Sequence, residues 1–184
     1  MRSITDYIKV FDNVLSNSLC EKIIGEFGES EWVDGLVKGG LAKNYRNVSA
    51  IGISFDDVVG RNREARQSVD NEVFIGAGIA MRSYLELYPE TDVSTDTGYE
   101  LLRYKEGQYY KQHTDSFKEE PRVVSCSFAL NNDYEGGEFA FFDRSLTVRV
   151  PKGSAILFPS NFMYPHEILP ITKGTRYSII TWFL

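Results

Sequence analysis

Two different hydrophobic periodicities divide the chain near residue 97. Before that point, apolar residues recur at spacings of three and four, which is typical of amphipathic helices. After it, short apolar runs are separated by turn residues, which indicates β-strands. The pattern therefore predicts a largely helical N-terminal part and a β-rich C-terminal part.

The first 30 residues are expected to form a strand and a helix. The strand covers Tyr7–Phe11. Ser18 and Glu21 have the spacing of a capping box, which predicts a helix that starts there and stops at Gly28. The apolar stripe of this helix consists of Leu19, Cys20, Ile23, Ile24 and Phe27. That stripe would face the core.

A longer helix is expected from about Ala65 to Tyr88, where Pro89 follows. Gly76 and Gly78 count against it, because each costs roughly 1 kcal/mol relative to alanine in a helix interior. The segment between the helices is rich in glycine, asparagine and charge, with a β-like run from Val48 to Phe55.

Eight strands are expected after residue 97. They are Tyr99–Tyr104, Tyr109–His113, Val123–Leu130, Glu138–Phe142, Leu146–Val150, Ser154–Pro159, His166–Leu169 and Thr175–Phe183. So many short strands favour a double-sheet jelly roll. The predicted fold class is thus mainly β with N-terminal helices (α+β), the helices packing on one sheet.

Length and charge limit the possible functions. A chain of 184 residues fits one domain, 1–184, with a helical support region at 1–96 and a β core at 97–184. The net charge of −6 argues against nucleic acid as a partner. No apolar run approaches the roughly 20 residues that span a bilayer, and no signal peptide is visible, so no membrane association and a cytoplasmic location are expected.

The chain has two histidines, and both fit a metal site. His113 and Asp115 are two residues apart, so on a strand their side chains point the same way. His166 would have to arrive from another strand. Two imidazoles and one carboxylate with open positions suit a non-haem Fe(II) oxygenase. A His-x-Asp pair alone is weak evidence, since a single histidine is more often a core or surface residue.

Five motifs in the C-terminal half resemble the 2-oxoglutarate- and Fe(II)-dependent dioxygenases, specifically the prolyl 4-hydroxylase-like family. They are RYKEGQYYKQHTD at 103–115, NNDYEGGE at 131–138, GSAILFP at 153–159, YPHE at 164–167 and GTRYS at 174–178. The resemblance implies a double-stranded β-helix with the metal at one open end. It also implies that His113, Asp115 and His166 are the catalytic metal ligands.

The same resemblance implies the cofactors, namely Fe(II), 2-oxoglutarate as cosubstrate and O2, with ascorbate as a further candidate. Arg176 would bind the distal carboxylate of 2-oxoglutarate, because a guanidinium pairs well with a carboxylate. Tyr104 matches a tyrosine that hydrogen-bonds this carboxylate. Some relatives place a second tyrosine where this chain has Ala129, so the hydroxyls of Ser125 and Ser127 are candidates to replace it.

The implied function is hydroxylation of prolyl residues in a peptide or protein, which gives succinate and CO2. Tyr110 and Trp182 are the candidate substrate-binding residues, and the segment Val33–Val48 is a candidate lid. A monomer or weak dimer is expected. Two alternatives stay open, which are hydroxylation of a free amino acid or other small molecule, and a non-catalytic cupin-like binding module.

Overall fold

The N-terminal part supplies two helices that cover one face of the molecule. The computed structural model describes residues 2–30, 32–37, 40–54 and 63–184. Helix α1 covers Asn17–Phe27 and helix α2 covers Arg63–Leu87, after a short 3-10 helix at Ile4–Tyr7. Both predicted helices are therefore confirmed, and both bury their predicted apolar residues except Ile24, which is half-buried.

The predicted cap of α1 was wrong. Ser16 has the extended backbone of a capping residue, and its Oγ accepts a hydrogen bond from the Leu19 N–H at 3.1 Å. Ser18 lies inside the first turn instead, where its hydroxyl meets that of Ser16 at 3.0 Å. Either serine could satisfy a free N–H at a helix start, and the structure has Ser16 in this role.

The strands run through almost the whole chain. They are β1 (Lys9–Phe11), β2 (Val33–Asp34), β3 (Arg46–Asn47), β4 (Ser49–Gly52), β5 (Glu100–Lys105), β6 (Tyr109–His113), β7 (Val124–Ala129), β8 (Glu135–Gly136), β9 (Phe139–Phe141), β10 (Leu146–Val148), β11 (Ala155–Pro159), β12 (His166–Ile168), β13 (Ile171–Lys173) and β14 (Thr175–Phe183). All eight predicted strands are present, within one or two residues at each end. The predicted run from Val48 to Phe55 contains β4, and its last residue lies outside the described residues.

Two antiparallel sheets face each other. The larger has the order β1-β11-β7-β14-β5-β4-β2, and the smaller has the order β10-β9-β12-β6-β3. A two-stranded ribbon of β13 and β8 lies beside them. This is the expected jelly roll of the double-stranded β-helix type. Strands β1 to β4 belong to the N-terminal part, which therefore builds the sheets as well as supporting them.

Two apolar layers hold the sheets and helices together. The outer layer joins α1 and α2 to the larger sheet through Ile23, Phe27, Val73, Ala77, Leu101 and Phe128. The inner layer lies between the sheets and contains Leu102, Tyr104, Phe139, Phe141, Ile156 and Phe158. Burial of these side chains from water is the main stabilising contribution. Polar residues that point into the inner layer are consequently candidates for function.

Among the described residues, no helix has the length and apolar character to cross a membrane.

Candidate active site

The smaller sheet brings the two histidines together. His113 ends β6 and lies directly opposite His166, which begins β12. Asp115 follows β6 by two residues, and its Oδ1 lies 3.4 Å from Nε2 of His113. Its Oδ2 lies 3.5 Å from Nε2 of His166. One ligand atom from each of the three residues thus lies within 4.8 Å of the others, a spacing that fits a single metal ion.

Backbone carbonyls fix the orientation of both imidazoles. Nδ1 of His113 lies 2.8 Å from the carbonyl oxygen of Lys111, and Nδ1 of His166 lies 3.1 Å from that of Tyr164. A carbonyl oxygen can only accept, so Nδ1 carries the proton in both rings. Each Nε2 lone pair therefore points to the shared centre, as a metal ligand requires.

The surroundings set the charge of the ligands. Three phenylalanine rings, those of Phe139, Phe141 and Phe158, lie within 6.2 Å of the His166 ring centroid. Burial lowers the pKa of His166 to about 4, so its imidazole is neutral at neutral pH. Burial opposes ionisation of Asp115, but the adjacent histidines and a hydrogen bond from Ser125 hold its pKa well below the usual range. The site accordingly contains one anion, the Asp115 carboxylate, and the neutral imidazole of His166.

Two serines from the larger sheet, Ser125 on β7 and Ser160 just after β11, lie next to Asp115. The Ser125 hydroxyl donates to Oδ2 of Asp115 at 2.7 Å, and Ser125 Oγ lies 2.8 Å from Ser160 Oγ. Ser125 is the serine that the sequence analysis assigned to the cosubstrate. Its single proton is engaged by Asp115, so Ser125 has no donor left for another anion.

Arg176 is a buried cation on the inner face of β14. Its side chain is 3% exposed, and its Nη1 donates to Ser178 Oγ at 3.0 Å. The guanidinium carbon lies 5.2 Å from the ring centroid of Tyr104 on the neighbouring strand and 5.5 Å from that of Phe139. No carboxylate among the described residues lies within ion-pair distance of it. A buried charge without a partner is costly, which indicates that an anion belongs beside it.

One cavity joins the trio to Arg176. It has a volume of about 800 Å³ and is also lined by Tyr104, Ser127 and Ser178. The Ser127 hydroxyl is buried and has no hydrogen-bond partner among the described residues. The three metal-ligand residues at one end of the cavity fit Fe(II). The hydrogen-bond donors around the Arg176 cation fit a carboxylate, so the whole cavity suits an acid with two carboxyl groups, such as 2-oxoglutarate.

Both predicted substrate residues line this cavity, and each is covered by an arginine that the sequence analysis did not single out. Tyr110 stacks on the His113 ring with centroids 3.6 Å apart, and the Arg46 guanidinium lies 5.2 Å from its centroid. The Arg122 guanidinium lies 3.6 Å from the centroid of Trp182. Neither arginine belongs to a recognisable local pattern, so only the packing reveals them.

The segment Val33–Val48 lies at the cavity as well. Leu36, Val37 and Tyr45 line it, while residues 38 and 39 of the segment lie outside the described residues. Tyr45 donates its hydroxyl to the Gln112 carbonyl at 2.5 Å. These contacts place the segment beside the metal ligands, and its role as a lid stays a prediction.

Known proteins are similar to this chain in sequence over the part that carries the site, and in fold over the whole chain. Residues 99–184 match the family model described as the 2OG-Fe(II) oxygenase superfamily. A PKHD-type hydroxylase of Idiomarina loihiensis is 34% identical over 88 residues, which covers 45% of this chain and 39% of that protein. Another from Herminiimonas arsenicoxydans is 26% identical over 189 residues and covers 92% and 75%. Procollagen-lysine,2-oxoglutarate 5-dioxygenase 1 of Gallus gallus is 28% identical over 184 residues and covers 92% and 23%. The chain thus matches only a minor part of two of these three relatives.

Solved structures extend the likeness to the whole fold. A prolyl hydroxylase from Trichoplax adhaerens, in complex with a hypoxia inducible factor oxygen degradation domain peptide, superposes with a TM-score of 0.79 at 17% identity. That match covers 98% of this chain and 84% of the other. A Pseudomonas putida prolyl-4-hydroxylase gives 0.71 at 20% identity, covering 98% and 96%. The part of the chain that carries the His-Asp-His trio is thus similar in sequence to the 2OG-Fe(II) oxygenase superfamily, and the whole chain has the fold of the solved prolyl hydroxylases.

Proposed function

We propose that the protein is a 2-oxoglutarate- and Fe(II)-dependent hydroxylase of peptide or protein substrates, with a prolyl residue as the target. The observation that best supports this proposal is that Arg176, a cation without a described carboxylate partner, lines the same cavity as His113, Asp115 and His166. Iron bound there with 2-oxoglutarate supplies the activation of O2 that inserts one oxygen atom into a C–H bond and releases succinate and CO2.

The protein's part begins with the cosubstrate. Arg176 pairs with the distal carboxylate, and Ser178 assists it. Because a guanidinium cannot accept, Ser178 Oγ is the acceptor of their 3.0 Å hydrogen bond, and its own proton is free to donate. The hydroxyls of Tyr104 and Ser127 face the same cavity. Neither has a hydrogen-bond partner among the described residues, so both are further donors for this anion.

The inner apolar layer keeps water from the reacting centre. The rings of Phe139, Phe141 and Phe158 pack around the His166 ring, and His166 is 4% exposed. Exclusion of water strengthens the attraction between Arg176 and a carboxylate and protects reactive species from side reactions. The three metal ligands line the cavity together with Tyr110 and Trp182.

Two observations support a peptide as substrate. The cavity is larger than one 2-oxoglutarate requires, and aromatic rings line it next to the metal ligands. Flat aromatic surfaces suit the apolar ring of proline. The solved structures named above are prolyl hydroxylases, one of them with a peptide, and the relative from Gallus gallus is named for procollagen lysine. A residue within a polypeptide is the substrate class common to those names.

The test is a matched panel of substrates. Purified protein with Fe(II) and 2-oxoglutarate, with and without ascorbate, is incubated with a proline peptide and with the same peptide carrying alanine or lysine instead. Free proline and free lysine complete the panel. We expect succinate release and one added oxygen atom on the proline peptide alone, read by mass spectrometry. Oxidation of a free amino acid but of no peptide would overturn the proposed substrate class. Absence of 2-oxoglutarate turnover with every substrate would favour the binding-module alternative.

A further inference from the structure

A directed chain of hydroxyl groups ends on the metal-binding carboxylate. Asp115 is ionised and can only accept, so the 2.7 Å hydrogen bond to its Oδ2 takes the single proton of Ser125. Ser125 must then accept in its 2.8 Å contact with Ser160. The order of donation is therefore fixed as Ser160 to Ser125 to Asp115.

Ser160 holds the backbone of the same turn. Its carbonyl oxygen accepts from the N–H groups of Asp115, at 3.2 Å, and of Ser116, at 2.9 Å. Its own N–H donates to the Val123 carbonyl at 3.0 Å. Ser160 thus contacts Asp115 directly through the backbone and indirectly through Ser125.

Burial makes this chain of contacts strong. Ser125 is 3% exposed and Ser160 is 1% exposed, so water does not compete for their hydroxyls. Hydrogen bonds to an ionised group are about twice as strong as neutral ones. The serines also come from the larger sheet, at β7 and just after β11, whereas both histidines come from the smaller one. The larger sheet consequently fixes the Asp115 carboxylate, whereas the smaller sheet supplies the two imidazoles.

We propose that Ser125 and Ser160 are positioning residues of the metal site, which orient the Asp115 carboxylate rather than bind the cosubstrate. Outer partners of this kind typically contribute 10–100-fold to metal affinity. The inference rests on the proposed function only in taking His113, Asp115 and His166 as the metal ligands. It needs no turnover, so it can be tested separately from catalysis.

The experiment measures Mn(II) or Co(II) affinity and the visible spectrum of the Co(II) protein. The variants are Ser125→Ala, Ser125→Thr and Ser160→Ala. Thr181→Val is the matched control, since Thr181 on β14 has a buried hydroxyl that bonds to none of the residues the structure describes and lies outside the cavity lining. Thermal unfolding without metal verifies that each variant is folded. The 2-oxoglutarate affinity of each Mn(II)-loaded variant is measured in parallel.

We expect Ser125→Ala to lower metal affinity about 10–100-fold and to change the Co(II) spectrum, with threonine restoring both. Ser160→Ala should show a smaller loss, and Thr181→Val none. The proposal is overturned if Ser125→Ala is folded and binds metal as the wild type does while its affinity for 2-oxoglutarate falls. A wild-type protein that binds metal but turns over no 2-oxoglutarate would contradict the proposed function and leave the roles of the serines intact.

Discussion

Arg176 donates a 3.0 Å hydrogen bond to Ser178, two residues further along the same inner strand face. The contact satisfies one N–H of the guanidinium and leaves its charge unneutralised by any described carboxylate. The inner face of a strand normally carries apolar side chains. Here the inner face of β14 carries a cation, Arg176, and a hydroxyl, Ser178. Without cosubstrate, the protein therefore contains a buried charge that lowers its stability. A bound anion would offset this loss of stability.

Replacing this arginine should separate binding from stability. In Arg176→Met, the affinity of the Mn(II)-loaded protein for 2-oxoglutarate is expected to fall at least about a hundredfold, or roughly 3 kcal/mol, because the carboxylate loses its charged partner. The free energy of unfolding without cosubstrate should stay the same or rise, since methionine fills similar volume without an unpaired charge. Calorimetric titration and urea unfolding measure the two quantities.

Lys173→Met is the control for charge removal. Lys173 is an exposed residue of β13 that pairs with Glu135 at 3.2 Å. Its substitution should leave the 2-oxoglutarate affinity unchanged. Equal weakening in both variants would mean that overall charge, and not a specific pairing at Arg176, governs cosubstrate binding.

Loss of the carboxylate ligand should abolish activity through metal binding. Asp115→Ala is expected to lower Mn(II) affinity at least about a hundredfold, beyond the effect typical of an outer partner, and to stop succinate formation. Glu167→Gln is the matched control, because Glu167 follows His166 directly but pairs with Arg144 at 2.6 Å. Wild-type succinate formation by Asp115→Ala would remove this residue from the ligand set.

The metal-free protein should lose stability in mild acid. The pKa of His166 is about 4 in the folded protein against an ordinary value of 6.5, so the unfolded chain binds more protons between these limits. The free energy of unfolding therefore falls as the pH falls from 6.5 toward 4. Urea unfolding at pH 7 and pH 5, with a chelator present, measures the loss. His166→Gln should show a smaller loss, and an equal loss in both proteins would contradict the assignment to His166.

Two glycines of α2 should respond oppositely to alanine. At Gly76 an added Cβ would lie 2.5 Å from Leu15 Cδ2 and 3.1 Å from the Val14 carbonyl oxygen, so Gly76→Ala should destabilise the protein by about 1–3 kcal/mol. At Gly78 an added Cβ would have no described atom within 4 Å apart from its chain neighbours and the backbone of its own helix, so Gly78→Ala should stabilise the protein by about 1 kcal/mol through helix propensity alone. Thermal unfolding of both variants tests the pair. A gain in stability for Gly76→Ala would show that the Leu15 side chain can move aside.

Strong local patterns predicted secondary structure well, and weak ones did not. Strands β6 and β14 have the predicted bounds, and the turn residues Gly107 and Gly174 precede them. The two-residue strands β2, β3 and β8 escaped prediction. A strand that short has almost no sequence pattern of its own and exists because a distant partner strand offers hydrogen bonds.

The metal site was predictable because its chemistry is concentrated in few residue types. With two histidines in the chain, the spacing of His113 and Asp115 and the motif around His166 sufficed to propose a shared ion. Serines gave no such signal. The sequence predicts Ser125 as a cosubstrate residue, whereas its 2.7 Å hydrogen bond to Asp115 is visible only in the structure.

By itself, the sequence determined the longer elements, the double-sheet architecture and the three candidate metal ligands, because periodicity and side-chain chemistry are local properties. The tertiary structure decided which side chains meet. It set His113 opposite His166, left Arg176 without a counter-ion, and placed Arg46 and Arg122 on the rings beside the cavity. Such contacts join residues far apart in the chain, and they depend on strand register and on the packing of two sheets, which no local pattern encodes.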